Sequence, residues 1–179
     1  MRKLLPSSHY QSRPWKNGLG TTQEILVWPE GSGDQFDWRI SIADLKVSGP
    51  FSLYPGIERL LVILEGQEVI LTQNNMSTPL PLMTPFIFDG NIPTSAEVKA
   101  IGKDFNLMLR KGKASGKISV RSGLTEFRIQ TRFAGVFSTE IFSVDEETFQ
   151  MNDFFLISEE KERTITVDGP RYLFIEIDS

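Results

Sequence analysis

The densest group of residues with binding chemistry lies near the N-terminus, at positions 13–24, where the sequence reads RPWKNGLGTTQE. Lys16 supplies a mobile cation, Asn17 both a donor and an acceptor, and Trp15 a flat apolar wall. Gly18, followed by a second glycine two positions later, lets the backbone turn sharply and expose N–H groups. The set suits an anionic or amide-bearing small molecule, although an ordinary loop that leads into a strand would have the same composition. The spacing GxxxxGK[ST] is absent, which argues against a nucleotide.

A second cluster, SGPFSLYPGIER at positions 48–59, places an arginine at the start of an apolar strand. Gly-Pro and Pro-Gly pairs predict turns on either side of the aromatic residues Phe51 and Tyr54. Glu58 and Arg59 then lead into residues that are all apolar, and a buried charge is costly unless it has a partner. Arg59 therefore needs a carboxylate, which either the protein or a ligand could provide.

Alternation along two further strands brings polar side chains to one face. Arg39 and Ser41 share a face of their strand, so this face is either a polar interior or a wet exterior. In DFNLMLR, at positions 104–110, Asp104 and Asn106 share a face in the same way. We expect these two residues to orient one of the two arginines or to contact a ligand directly.

The composition excludes several kinds of site. The chain of 179 residues has no cysteine and a single histidine, so a disulfide, a thiolate nucleophile, a cysteine-bound zinc and a cluster of histidines are all impossible. That histidine, His9, lies in the leader and is expected at the surface, which leaves no base for a serine triad. Acid–base chemistry by Glu24, Glu58 or Asp104 stays open. A net charge of −4, from 19 basic and 23 acidic side chains, disfavours a nucleic-acid partner.

Short apolar runs separated by glycine, proline, asparagine or aspartate predict an all-β protein, and no segment keeps the apolar period of a helix for long. The run LLVIL at 60–64 is apolar at every position, which predicts a strand with both faces covered. We expect it to form a hairpin through Gly66 with residues 67–71, and residues 67–72 to form a second hairpin through the turn QNNM. The predicted strands are 22–27, 38–45, 59–64, 67–72, 86–88, 97–101, 105–110, 117–121, 127–132, 140–144, 154–158, 164–167 and 172–177.

Glycines, a serine and lysines at 111–117 predict a hinge between two domains, 1–112 and 113–179. Between positions 110 and 132 there are seven basic residues against one acid, and between 145 and 179 ten acids against three basic residues. We expect the acidic stretch to face the basic one, rather than the basic stretch to bind an anionic partner. The N-terminal apolar stretch stops after two leucines, short of an export signal, and no run could span a membrane, so a cytoplasmic protein is predicted.

Taken in order, these blocks resemble the HutD/Ves family. PWKNGLGTTQEI at 14–25 is similar to the family signature PWKNGGG-T-E, with Leu19 in place of the usual middle glycine. WRISIA, GPFS, PGIER, FDG and DFNLMLR follow in the family's order across about the first 112 residues. The resemblance implies a cupin-like double β-barrel, that is, a bicupin of the RmlC jelly-roll class. Because the histidines that hold the metal in many cupins are missing, we expect a metal-free cupin without a cofactor.

The resemblance also implies a regulatory protein linked to histidine utilisation that binds a small carboxylate, such as urocanate or a formylated glutamate. Arginines suit this ligand because they can hold a carboxylate with two parallel hydrogen bonds. The predicted ligand-binding residues of the N-terminal barrel are Trp15, Lys16, Asn17, Gly18, Arg39, Ser41, Glu58, Arg59 and Asn106.

Two alternatives stay open at this stage. One is a metal-independent isomerase or hydrolase that acts on a small acid or sugar, with Glu24 or Glu58 as base. The other is an interaction module with a large exposed apolar patch. We expect a binding protein rather than an enzyme, with a small carboxylate as partner and neither nucleic acid nor membrane, and a homodimer is left open.

Overall fold

Nearly all the regular structure of this protein is β-sheet. The computed structural model describes residues 1–14, 20–158 and 162–179. In these residues nineteen strands alternate with short connections, and the only helices are two single turns of 3-10 type, at Ser7–His9 and Gly33–Gln35. The prediction of an all-β protein is therefore confirmed. None of the helices in this described part is long and apolar enough to cross a membrane.

The strands form two compact units. One consists of Gln11–Lys113, and the other of Met1–Tyr10 together with Ala114–Ser179. Each unit contains two antiparallel sheets, and the strands are numbered β1–β19 in chain order.

The unit of Gln11–Lys113 holds a six-stranded and a four-stranded sheet. In spatial order the larger sheet consists of β2 (Gln11–Pro14), β3 (Thr21–Trp28), β4 (Trp38–Leu45), β11 (Gly102–Arg110), β6 (Ile57–Glu65) and β9 (Phe86–Asp89). The smaller sheet consists of β5 (Gly49–Pro50), β10 (Thr94–Val98), β7 (Val69–Gln73) and β8 (Met76–Leu80).

An apolar core lies between these two sheets. Leu61 and Ile63 of β6 belong to one buried cluster with Leu71 of β7, Leu80 of β8 and Ala96 of β10. The run 60–64 is buried at every position, as its uninterrupted apolar sequence predicts. One face of β6 thus points toward the four-stranded sheet, and residues of the neighbouring strands that share this face point the same way.

The connection at Gly66 differs from the prediction. β6 pairs with β11 and β9, whereas β7 pairs with β10 and β8, so the predicted hairpin through Gly66 is wrong. Gly66, with φ of +99°, instead carries the chain from one sheet to the other. A tight hairpin and a crossover between sheets both need a residue with positive φ, and the sequence does not distinguish them. The second predicted hairpin, β7–β8, is confirmed, with Asn74 and Asn75 in its turn at φ of 48° and 63°.

The other unit has the same two-sheet organisation. Its five-stranded sheet consists of β1 (Arg2–Leu5), β17 (Phe154–Ser158), β14 (Phe133–Phe137), β19 (Tyr172–Asp178) and β12 (Ser115–Arg121). Its four-stranded sheet consists of β13 (Thr125–Arg128), β18 (Thr164–Asp168), β15 (Phe142–Val144) and β16 (Glu147–Phe149). Aromatic rings fill much of the core between them, and Phe127 stacks on Phe174 with 3.8 Å between ring centroids.

The first ten residues belong to this second unit, whereas the sequence predicts them in a domain 1–112. β1 pairs with β17 from Arg2, opposite Ile157, to Leu5, opposite Phe154. Such a pairing joins segments from the two ends of the chain, and the local pattern of four residues does not reveal its partner.

Ion pairs join the basic and the acidic stretches within this unit, as expected. Lys117 lies 2.9 Å from Glu176, and Arg128 pairs with Glu162. In each pair at least one of the two side chains is exposed, so the pair contributes little to stability.

Candidate functional site

The candidate site lies on the inner face of the six-stranded sheet, where polar side chains interrupt the apolar core. Met108 of β11 is paired with Arg39 of β4 on one side and with Arg59 of β6 on the other. One step along the sheet, Asn106 is paired with Ser41 of β4. The register thus brings together residues from three separate motifs of the sequence.

This face is a polar interior, and the alternative of a wet exterior is excluded. Arg39 is 9% exposed and Arg59 4%, while Ser41, Asn106 and Asp104 are exposed by 3% or less. Charged side chains are rarely buried to this extent without a partner of opposite charge. The contacts of each arginine therefore decide what the site can do.

Arg59 is held by one strong hydrogen bond and three aromatic rings. Its Nη2 donates to Asn106 Oδ1 at 2.7 Å, and Nη1 makes a long contact of 3.5 Å with the Ser52 carbonyl. The guanidinium carbon lies 4.9–5.7 Å from the ring centroids of Phe88, Phe51 and Tyr54. Burial lowers the pKa of Arg59 to about 10, because the charged form loses its hydration.

Arg39 has weaker partners. Its Nη2 donates to the Tyr54 hydroxyl at 3.2 Å and to Met108 Sδ at 3.1 Å, and its guanidinium carbon lies 5.0 Å from the ring centroid of Phe36. Its Nε is buried and has no hydrogen-bond partner among the residues that the structure describes. A sulfur atom and a phenol are poor substitutes for a carboxylate as acceptors of a cationic donor.

Behind the arginines lies a buried acid. Asn106 Nδ2 donates to Asp104 Oδ1, so one amide connects Arg59 to the Asp104 carboxyl group. Burial raises the pKa of Asp104 to about 7, while the charge of Arg59 acts in the opposite direction. Asp104 Oδ2 is buried and has no hydrogen-bond partner in the described part of the chain.

Tyr54, which lies between the two arginines, is fixed by its loop. Its N–H donates to the Gly90 carbonyl at 2.9 Å, and the Gly90 N–H donates to the Ile57 carbonyl at 2.8 Å. A side chain at Gly90 would place a Cβ 2.5 Å from the Tyr54 carbonyl oxygen, so only glycine allows this approach. The backbone N–H of Lys111 donates to the Gly56 carbonyl at 2.9 Å, which gives the same loop a further hydrogen bond.

Neither of the two glutamates predicted as possible bases pairs with Arg39 or Arg59. Glu24, opposite Ser41 in the register, lies 3.1 Å from Arg13 and is already paired. Glu58 precedes Arg59 in β6, so alternation directs it to the opposite face of the sheet. The structure therefore gathers Arg39, Ser41, Arg59 and Asn106 from the predicted set, and not Glu58.

The remaining predicted residues, Trp15, Lys16, Asn17 and Gly18, lie outside the described residues. No three side chains of the His, Cys, Asp and Glu types come together as a possible metal site in residues 1–14, 20–158 and 162–179.

Sequence reasoning missed the aromatic and sulfur partners of the arginines. In the sequence Phe36 and Met108 look like ordinary core residues. The position of Tyr54 between the arginines depends on a loop that is held by hydrogen bonds to the distant Gly90. One signal was present, because the turn-forming pairs around Phe51 and Tyr54 mark a constrained aromatic loop just before Arg59.

Known proteins resemble this chain over most of its length. A family model described as HutD matches residues 7–175. Protein Ves of Citrobacter koseri is 39% identical over 109 residues, which are 59% of this chain and 56% of that protein. The match thus spans little more than half the length of this curated relative.

Solved structures share the whole fold. HutD of Pseudomonas fluorescens SBW25 superposes with a TM-score of 0.91 at 27% identity and covers 99% of this chain and 98% of its own. A cupin 2 conserved barrel domain protein of Leptotrichia buccalis gives a TM-score of 0.55 at 12% identity, over 98% of this chain and 95% of that one, which shows likeness of fold alone. The cupin-like jelly-roll prediction is confirmed, and so is the resemblance noted in the sequence: the chain belongs to the HutD family.

Proposed function

We propose that this protein is a regulatory protein of the cupin-like type that binds a small carboxylate with Arg39 and Arg59 and works without a metal. One observation carries the proposal. Two buried guanidinium groups face the same interior, and neither has a carboxylate oxygen within 4.0 Å among the described residues.

The chemistry of these groups selects the ligand class. A buried guanidinium without a counter-ion costs several kcal/mol relative to water, and an incoming carboxylate removes part of that cost through charge-assisted hydrogen bonds. Both arginines have a donor to spare, because the Nε of each is buried without a hydrogen-bond partner among the described residues. Arg39 is the less well satisfied of the two, since its present acceptors are a phenol oxygen and a sulfur. The two guanidinium groups would repel a positively charged group of a ligand. An anionic group with two adjacent oxygens therefore fits them best.

The loop above the arginines offers a route from the solvent. Ser52, whose carbonyl contacts Arg59, is itself exposed, and Tyr54 and Phe51 are half-buried. The loop that contains Ser52 therefore separates the Arg59 guanidinium group from the solvent. We infer that a small ligand enters by displacing this loop.

The family supports the regulatory part of the proposal, since HutD/Ves proteins are linked to histidine utilisation and intermediates of that pathway carry carboxylates. The alternative of a metal-independent enzyme has less support, because Glu24 is paired with Arg13 and Glu58 points to the other face of the sheet.

Thermal unfolding in the presence of single compounds tests the proposal. The panel contains formate, urocanate, formiminoglutamate and N-formylglutamate, with the amide of each acid as a control that lacks the carboxylate. A ligand at about 100 times its Kd should stabilise the fold by about 2.7 kcal/mol. The shift should vanish in Arg39→Met and persist in Arg121→Met, which removes an exposed arginine of the other unit.

Two results would contradict the proposal. Either no carboxylate of the panel raises the melting temperature, or the shift is the same in wild type and Arg39→Met. Consumption of a panel compound by catalytic amounts of protein would instead favour the enzyme alternative.

A further inference from the structure

We propose that Asp104 regulates this anion site by taking up a proton: when a carboxylate binds to Arg39 and Arg59, the ionised Asp104 is converted to the neutral acid. The inference rests on the proposed function and concerns how the same site responds to pH. The balance is simple, since one proton from solvent adds to the Asp104 carboxylate and no other bond forms or breaks.

The position of Asp104 is the first argument. It lies on the inner face of β11, fully buried, between Ala43 of β4 and Ile63 of β6. Water cannot solvate its charge there. The Asn106 amide and the Ala43 backbone N–H donate to the carboxyl group, but Oδ2 has no hydrogen-bond partner within the described residues. An ionised carboxylate in such a place depends on nearby positive charge.

The second argument is the connection to the arginines. Asn106 donates to Asp104 Oδ1 through Nδ2 and accepts from Arg59 Nη2 through Oδ1. Arg59 is thus the cation that compensates Asp104, through one amide. A ligand carboxylate at Arg59 would share the same cation, and two anions around one guanidinium in a low-dielectric interior repel each other.

The free oxygen shows where the proton would be held. Asp104 Oδ1 keeps its hydrogen bond from Asn106 in both ionisation states, because a neutral acid can still accept at its carbonyl oxygen. Oδ2, which has no partner among the described residues, is the atom that can be protonated without breaking any contact. Protonation therefore changes the charge of the site and leaves its geometry in place.

The other charged groups around Asp104 leave this coupling dominant. On β6 this face carries Arg59 and, at the end of the strand, Glu65, which lies 3.5 Å from Lys103. On β11 it carries Arg110, whose Nε donates to the Phe36 carbonyl at 2.7 Å. On β4 the charged residue of this face is Arg39, with Asp44 next to the opposing Ala43. On β3 the acidic residue is Glu24, which is paired with Arg13. The inward positions of the facing four-stranded sheet carry no acid or base, being Val69, Leu71, Gln73, Thr94, Ala96 and Val98.

The ionisation range agrees with this geometry. Burial raises the pKa of Asp104 to about 7, against the charge of Arg59, so both forms are populated near neutral pH. An added anion raises this pKa further and draws a proton in. By linkage, the ligand's affinity then falls as pH rises above about 7, by as much as tenfold per pH unit until the pKa of the complex is reached.

Calorimetric titration with formate and with N-formylglutamate tests the inference, since neither probe titrates between pH 6 and pH 8. Measured at pH 7.5 in buffers of different ionisation enthalpy, wild type should take up a proton on binding, and its Kd should rise between pH 7 and pH 8. Asp104→Asn should bind without proton uptake and with a Kd independent of pH. Asp168→Asn, which changes an exposed aspartate of the other unit, should behave as wild type.

The outcomes separate this inference from the proposed function. Binding without proton uptake in wild type, or uptake retained in Asp104→Asn, overturns the role of Asp104 and leaves carboxylate binding standing. No binding of either probe at any pH overturns both. Should Asp104→Asn fail to fold, the 13C resonance of the Asp104 carboxyl in wild type decides: it should move toward the protonated position when the probe binds, and an unchanged resonance overturns the inference.

Discussion

The guanidinium groups of Arg39 and Arg59 face the same aromatic ring, that of Tyr54, with 5.3 and 5.7 Å between each guanidinium carbon and the ring centroid. The two arginines come from strands that flank β11, and Met108 lies between them in the register. Each cation–π contact contributes about 0.5–2 kcal/mol, and the phenol also accepts a hydrogen bond from Arg39. The ring thus offsets part of the repulsion between two buried cations without neutralising either of them.

Removing the amide of Asn106 should destabilise the fold strongly. In Asn106→Ala, Arg59 and Asp104 both lose their shared partner in a buried place, and a lost hydrogen bond to a charged group costs about 1–3 kcal/mol. We expect the free energy of unfolding in urea to fall by about 2–4 kcal/mol. Gln67→Ala, which removes an exposed amide of the same unit, should change it by less than about 0.5 kcal/mol. Equal effects of the two substitutions would show that the Asn106 contacts contribute nothing.

Gly90→Ala should disturb Tyr54 through the backbone alone. The new Cβ would lie 2.5 Å from the Tyr54 carbonyl oxygen and 2.8 Å from that of Ile57, so the loop has to move. We expect a loss of about 1–3 kcal/mol in urea unfolding and a weaker response to carboxylates. Gly49→Ala is the matched control, because nothing lies within 4 Å of its added Cβ. A Gly90→Ala protein as stable as Gly49→Ala would contradict the tight approach.

The sequence predicts features that depend on neighbouring residues, and it does not predict features that depend on residues far apart in the chain. Alternation within one strand predicts that Arg39 and Ser41 share a face and that the run 60–64 is covered on both sides, and both hold. The adjacency of Arg39 and Arg59 depends on how β4 and β6 register against β11, which is set by pairing between distant segments. The residues of the site could therefore be named, but their contacts could not.

The errors have the same origin. The sequence predicts a hairpin at Gly66 where the structure has a crossover between sheets, because both connections need the same backbone conformation. The sequence does not predict strand β1, because four residues carry little pattern and its partner β17 lies far along the chain. Glu58 belongs to the predicted ligand-binding set because it neighbours Arg59 in sequence, and alternation in β6 directs the two side chains to opposite faces of the sheet.

The buried acid should make stability depend on pH in a defined direction. The pKa of Asp104 is raised from 3.8 to about 7 in the fold, so the folded state holds more protons than the unfolded state between about pH 4 and pH 7. Stability due to this group is therefore highest below about pH 4 and is lost as pH rises through 7. Asp104→Asn removes this loss, so its stability relative to wild type should rise between pH 5 and pH 7 and level off above pH 8. Urea unfolding at several pH values measures the difference, and a difference independent of pH would contradict the buried ionisation.

The two arginines should respond in opposite ways when their charge is removed without loss of volume. Arg59→Met leaves Asp104 and Asn106 in the interior without their cation, so we expect the free energy of unfolding to fall by about 2–4 kcal/mol. Arg39→Met removes a buried charge that has no carboxylate partner among the described residues, and we expect stability to stay level or rise by about 1 kcal/mol.

That contrast separates a binding residue from a structural one, because Arg39 would cost stability in the free protein and regain it only from a ligand. In urea unfolding without added anion, Arg39→Met should therefore match or exceed wild type, and in saturating N-formylglutamate it should fall behind. A large loss of stability in Arg39→Met without any ligand would mean that Arg39 stabilises the fold of the free protein. Arg39 would then be a structural residue, and the proposed carboxylate site would lose its main binding residue.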